Sequence, residues 1–150
     1  MQDIKEKILS LLPEAVFEES KQYPTIVVPA EKFHAFAKAL KEKEELSFDY
    51  LFCLSGVDMK TYLMTVYHME STKHGHQLVV KVKMNNRDNP KVHTVSDIWL
   101  TADFLEREVF DLFGIKFDKH PDLRRLLLDD DFVGYPLRKD FVDDINIVER

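Results

Sequence analysis

The sequence predicts an α+β fold, a two-layer sandwich with helices on one face of a mostly antiparallel or mixed sheet. Three observations point there. Apolar periodicity along the first 84 residues runs in the order α-β-β-α-β-β-β. The clearest strand, Gln77 to Met84, puts Leu78, Val80, Val82 and Met84 on one side and Val79, Lys81 and Lys83 on the other. The 150 residues are 45% hydrophobic and 32% charged, enough for one core with a wet surface.

The elements follow in order. Ile4, Ile8, Leu11 and Leu12 recur at helical spacing, and Pro13 closes that helix. Ala15 to Glu19 and Thr25 to Val28 read as strands, joined by a link short enough for a hairpin. Pro29 introduces a second helix whose apolar stripe is Phe33, Phe36, Ala37 and Leu40. Its charged cluster, Lys38 and Lys41 to Glu44, reads as a solvated face. Tyr50 to Leu54 is apolar on both faces, the pattern of a central strand. Tyr62 to Glu70 and Gln77 to Met84 are joined by a turn around Gly75. Asn85 to Pro90 is a polar loop. Ser96 is placed to cap a short turn carrying Ile98 and Trp99, and Thr101 to cap a third helix. Gly114 stands where a C-terminal glycine belongs. Beyond it the chain is charged and punctuated by Pro121 and Pro136, with one short helix expected near Asp122 to Leu128 and otherwise extended chain. The domain reading is therefore residues 1–113 as the α+β domain and 114–150 as a docking segment.

The net charge of −6 disfavours nucleic acid, whose phosphates call for a basic surface. A single cysteine, Cys53, can form neither an internal disulfide nor, alone, an iron–sulfur site. Its apolar surroundings suggest a buried small hydrophobe and a reducing, cytoplasmic home. The first twelve residues mix charges with apolar groups, unlike a signal peptide, and no apolar run approaches the roughly 20 residues of a membrane span.

The third helix carries the densest chemistry. On a helical wheel Leu105, Val109, Leu112 and Phe113 form an apolar arc flanked by Glu106 and Glu108. Arg107 and Asp111 fall on the far side at a pairing distance of four residues. Phe104 and Phe110 lie outside the arc. Large apolar groups nearly all round a helix require cover beyond one small sheet: the C-terminal segment, a partner, or both. Glu106 or Glu108 as a general acid or base would need a nucleophile, metal set or phosphate loop that the sequence does not supply. His120, before Pro121, reads as a loop-fixing residue bonded to backbone. His74 and His76 sit on a turn and read as solvent-exposed. Arg124, Arg125, Arg138 and Lys139 suit carboxylates on a partner, the arginines through a bidentate fork.

Three blocks stand close together: Glu106-Arg107-Glu108-Val109-Phe110-Asp111-Leu112-Phe113-Gly114-Ile115, His120-Pro121-Asp122-Leu123-Arg124-Arg125, and Gly134-Tyr135-Pro136-Leu137-Arg138-Lys139-Asp140. In this order they resemble the signature of the 30 kDa subunit, also called the C subunit, of the proton-pumping NADH-quinone oxidoreductase, respiratory complex I. Phe104 and Phe132 stand where that family commonly has Trp, and each keeps an aromatic wedge. The resemblance implies a non-catalytic subunit of the peripheral arm, on the cytoplasmic side of a bacterial inner membrane. It implies packing against the D subunit of complex I and bracing of the quinone-reducing module. NADH, FMN, the Fe-S clusters and quinone would all belong to partner subunits, with no cofactor in this chain. Equivalent subunits of membrane-bound hydrogenases and related dehydrogenases are the nearer alternative, and a stand-alone small-molecule enzyme the farther one.

Overall fold

The computed structural model describes residues 2–20, 22–129 and 131–141. Asp130, Ile145 and Ile147, all expected in the docking segment, lie outside the described residues. The elements are α1 (Gln2–Leu11), β1 (Val16–Glu18), β2 (Thr25–Pro29), α2 (Ala30–Glu42), β3 (Tyr50–Asp58), β4 (Leu63–Glu70), β5 (Gln77–Met84), β6 (Lys91–His93), α3 (Thr101–Phe113) and β7 (Lys116–Asp118). The predicted α-β-β-α-β-β-β order is thus present. Among the described residues no helix is long and apolar enough to cross a membrane.

The main sheet has the order β1-β2-β5-β4-β3. The β2–β5 pair is parallel and the others antiparallel, so the sheet is mixed. Register explains the core. Ile26 opposes Val80, Val80 opposes Tyr67, and Tyr67 opposes Leu54, so one row of large side chains crosses the sheet on one face. All four are buried. α2 lies on that face, with Phe33 and Tyr67 ring centroids 4.4 Å apart. α3 covers the same face over β3. Gly56 permits this approach, because a Cβ there would come within 2.5 Å of the Phe113 ring.

Several expectations are corrected. Tyr50 to Leu54 belongs to β3, an edge strand and not a central one. An apolar pattern on both faces reports covered surface, and here α3 covers one side while Tyr50 and Phe52 stay exposed on the other. Cys53 sits beside a bulge in this strand and is half-buried. Thr101 does not cap α3: Leu100 is the capping position, without a side-chain bond, and Thr101 Oγ1 donates instead to the Leu51 carbonyl at 2.8 Å. That bond ties the start of α3 to β3. Thr94, more than Ser96, organises the turn before α3, since its Oγ1 accepts the Ser96 N–H. Trp99 then reaches across to donate Nε1 to the Phe48 carbonyl at 2.9 Å.

Gly114 ends α3 as expected, at φ 75° with its N–H on the Phe110 carbonyl. The chain then pairs β7 with β6 in a two-stranded parallel sheet that the sequence did not reveal. Ile115 and Phe117 are buried there, in the same core as the larger sheet. No helix forms at Asp122 to Leu128. The backbone N–H groups of Leu126 to Leu128 are bound to the Asp111 side chain instead.

Replacing Gly56 by Ala is expected to lower unfolding stability by about 1–3 kcal/mol, because the added methyl overpacks against Phe113. Denaturant unfolding of the two proteins measures it. An unchanged midpoint would mean that α3 does not depend on close approach to β3.

Candidate functional site

The three sequence blocks converge around the C-terminal end of α3. Asp111 organises them. Its side chain is fully buried, and its Oδ2 accepts the backbone N–H groups of Leu126, Leu127 and Leu128 at 3.3, 2.6 and 3.0 Å. Arg125 Nη1 donates to Oδ1 at 3.0 Å and to the Asp111 carbonyl at 2.9 Å. Burial pushes the Asp111 carboxyl up, but the Leu127 and Leu128 N–H bonds, with those of Arg125 and Leu126, outweigh it and hold it below the usual carboxylate range. This corrects the wheel reading. Asp111 does not face solvent beside Arg107; it turns inward. Arg107 instead reaches the Arg124 carbonyl, and Arg124 is mostly exposed beside Asp122.

Arg125 carries the connection further. Its Nη2 donates to the Gly134 carbonyl at 2.7 Å, and its guanidinium lies 4.9 Å from the Tyr135 ring centroid. Tyr135 packs where a Cβ on Gly114 would stand, only 2.6 Å away. Arg138 Nη1 donates to the Arg87 carbonyl at 3.1 Å and its Nε to the Phe113 carbonyl. Pro136 is half-buried between these anchors. Arg125 and Arg138, expected to meet partner carboxylates, are therefore engaged within the chain.

A second carboxylate repeats the device. Asp58, buried at the end of β3, is bound by both terminal nitrogens of Arg87, one at 3.1 Å, and by the N–H groups of Lys60 and Lys139 at 2.8 Å each. The Arg87 bond, against the opposing effect of burial, holds Asp58 well below the usual carboxylate range. Asp140 lies 3.6 Å from Arg87 on the surface, and the Lys139 side chain is exposed. Arg87, Asp58 and Lys60 were not singled out in the sequence. An aspartate ending a strand, 29 residues before an arginine in a polar loop, carries no local signal of pairing.

Glu106 is also fully buried. It accepts the Thr94 hydroxyl and the Val95 N–H, the latter at 2.9 Å. Burial pushes its carboxyl up to about 7 despite those bonds. His120 fixes a loop as expected. Its Nδ1 accepts the Asp122 N–H at 3.0 Å, so Nε2 carries the hydrogen and donates to the Asp103 carbonyl at 3.0 Å. Pro121 and Glu108 are exposed. Phe104 is 59% exposed, so it is no core wedge, whereas Phe132 is half-buried and stacks on Phe141. His74 and His76 bond the Glu44 and Leu46 carbonyls, each at 2.8 Å, and only His74 is well exposed. Among the described residues no group of three or more His, Cys, Asp and Glu side chains is arranged to hold a metal.

Fold and site together define an α+β module whose motif charges clasp its own C-terminal segment. Residues 26–144 match the family described as the respiratory-chain NADH dehydrogenase 30 Kd subunit, and the chain belongs to that family. It is 47% identical to the C/D subunit of an NADH-quinone oxidoreductase of Phocaeicola vulgatus, over 81% of its own length and 23% of that protein's. It is 49% identical to the C subunit of an NADH-quinone oxidoreductase of Chloroherpeton thalassium, over 73% of its length and 46% of that protein's. The chain thus spans about a quarter to a half of the length of these two relatives. It also superposes, at a TM-score of 0.80 and 29% identity, on a chain in the structure of the membrane-bound sulfane sulfur reductase, an archaeal respiratory membrane complex; the match covers 93% of this chain and 84% of that one.

Asp111→Ala is expected to cost about 3–5 kcal/mol, because Arg125 and three N–H groups lose their acceptor together. Hydrogen exchange at Leu126 to Leu128 should accelerate more than at β5. Uniform exchange across both would remove Asp111 from this role. Acid should act on the same contacts. Asp58 and Asp111 have lowered native pKa values, so their contribution is present above the unfolded value of about 4 and is lost as pH falls below it. Protection of residues 126–128 and of Lys139 should therefore fall below about pH 4, ahead of the sheet.

Proposed function

We propose that the chain is a non-catalytic subunit of the peripheral arm of a proton-translocating NADH-quinone oxidoreductase, where it braces the quinone-reducing module against the D subunit. The observation that carries this is family membership over most of the chain. The relative that is a C/D subunit supports the choice of neighbour: this chain matches only 23% of it, which leaves most of that polypeptide for its remaining, covalently joined part. NADH, FMN, Fe-S clusters and quinone belong, in this reading, to the partner subunits. The chain sits on the cytoplasmic side of the membrane and reaches it only through the complex.

The surface suits such a role. Glu106, Asp111, Arg125 and Arg138 of the motif are engaged inside the chain, while some large apolar side chains stand outside: Leu100 is 91% exposed, Leu127 63% and Val133 88%. The docking part of residues 114–150 is taken to begin beyond β7, and its described residues up to Phe141 are held within the chain by Asp111 and Asp58. Exposed Glu108, Arg124, Lys139 and Asp140 are the charged groups left to meet that partner. Pre-ordering the segment lowers the entropy cost of assembly, which otherwise runs at roughly 1–2 kcal/mol per residue.

A second reading keeps the fold and changes the machine. The likeness to a chain of an archaeal respiratory membrane complex favours it. Affinity purification of the tagged native chain from membranes decides between them. Companions that include a D subunit and a flavin- and NADH-binding subunit support the first reading. A hydrogenase-type or sulfur-reducing set supports the second. Recovery of the chain alone from intact membranes would sink both. Arg124→Ala should lower recovery of the assembly while leaving the melting temperature of the isolated chain within about a degree or two, as for other exposed surface changes. Arg138→Ala should lower both, because its carbonyl partners lie within the chain.

A further inference from the structure

Among the described residues three carboxylates are buried: Asp58, Glu106 and Asp111. Two of them hold an arginine at bonding distance. Glu106 does not. The cationic candidate nearest to it is the His120 ring, whose Nε2 lies 3.9 Å from Oε1 and is already committed to Asp103. Two donors, Thr94 and Val95, serve a group with about four acceptor sites. A buried carboxylate so placed has little to stabilise its charge.

The other groups around it make the charge less welcome still. From α3, Asp103 Oδ1 stands 3.1 Å from the same His120 nitrogen. From the linker before α3 comes Asp97, which is bound at 2.8 Å by His34 of α2. Both act on Glu106 as like charges. From the turn after β7 come His120 and, through its N–H, Asp122. From β4 comes Tyr67, whose buried hydroxyl has the Thr65 hydroxyl as its polar neighbour. Burial and, next, the Glu106 charge push the Tyr67 phenol up, which places that hydroxyl within the carboxylate's field. A buried carboxylate with two donors, no arginine and like charges around it is an interior site that the neutral acid suits better than the anion.

We propose that Glu106 is an interior proton-binding site, and that its occupancy sets how tightly the turn Lys119 to Leu123 seats on α3. The ligand is a single proton. With the proton on, the acid rests uncharged on Thr94 and Val95 and His120 closes over α3. With the proton off, the charge faces Asp103 and Asp97, and opening the turn to water relieves it. The sign follows from the raised native value. The stabilising contribution is present below the unfolded carboxylate value of about 4.5 and is lost as pH rises through about 7. This is opposite in direction to Asp58 and Asp111. It places the change near neutral pH, where the other two carboxylates do not titrate. Of the three buried carboxylates, Glu106 is thus the one whose protonation changes near neutral pH.

The test uses the full chain. Infrared difference spectra between about pH 5.5 and pH 8 should show a protonated carboxyl band that disappears on raising the pH, with a midpoint near neutrality. Hydrogen exchange at residues 119–123, corrected for intrinsic base catalysis, should quicken several-fold over the same interval while β5 stays constant. Glu106→Gln, which keeps the shape and one acceptor, should abolish both responses. Its melting temperature should also lose the several-degree decline toward about pH 8 that the unaltered chain shows. If Glu106→Gln does not fold, the first two measurements on the unaltered chain still decide. Overturning results are no protonated carboxyl band at about pH 5.5, or exchange at 119–123 that does not change with pH beyond the intrinsic rate. A band that persists in Glu106→Gln would assign the proton elsewhere and equally overturn the proposal.

Discussion

A carboxylate buried at the end of a helix, with no water to solvate it, must be satisfied by whatever the chain brings to it. Asp111 is satisfied by three successive backbone N–H groups and one guanidinium, all from residues 125–128. Because the same N–H groups cannot also serve a helix, that stretch runs as an irregular loop wrapped on a single oxygen. Arg125, held by Asp111, is aimed at the Gly134 carbonyl and at the Tyr135 ring. Tyr135 in turn needs the missing side chain of Gly114. The path of the segment after α3 therefore descends, contact by contact, from one buried charge. Such an arrangement is costly to bury and more costly to break, so it specifies one geometry.

Asp58 does the same work at the far end of the segment. It draws in Arg87 from the loop after β5 and the Lys139 N–H from the C-terminal stretch. Arg138 bridges back to α3 through the Phe113 carbonyl. The segment is thus pinned at two places, and the pins are carboxylates on α3 and β3, elements already fixed by the core. The hydrophobic side chains of the segment are left partly outside. Two buried carboxylates inside and exposed Leu127 and Val133 outside leave the segment with a partly apolar surface.

The sheet supplies the platform for these pins. α3 approaches β3 closely only because Gly56 leaves room for Phe113, and Thr101 ties the first turn of the helix to Leu51. Trp99 fastens the linker before the helix to Phe48. With α3 so placed, Glu106 points into the core and Asp111 toward the returning chain, although the two stand little more than one helical turn apart.

Much of this was legible in the residues. Helical and alternating periodicities determined α1, α2, β4 and β5, the buried side of α1, α2 and β5, and the α+β class, because burial acts on side chains a fixed number of residues apart. Gly114 announced its left-handed turn, and the three motif blocks announced the family. Pairing partners were another matter. That β3 lies at the edge, that β6 and β7 pair, that residues 126–128 forgo a helix for Asp111, and that Asp58 meets Arg87 all depend on segments far apart in the chain. A wheel or a strand pattern reports only which side of an element is apolar. It cannot say which distant backbone will reach a buried carboxylate, because that is settled by the space left once the whole core has closed.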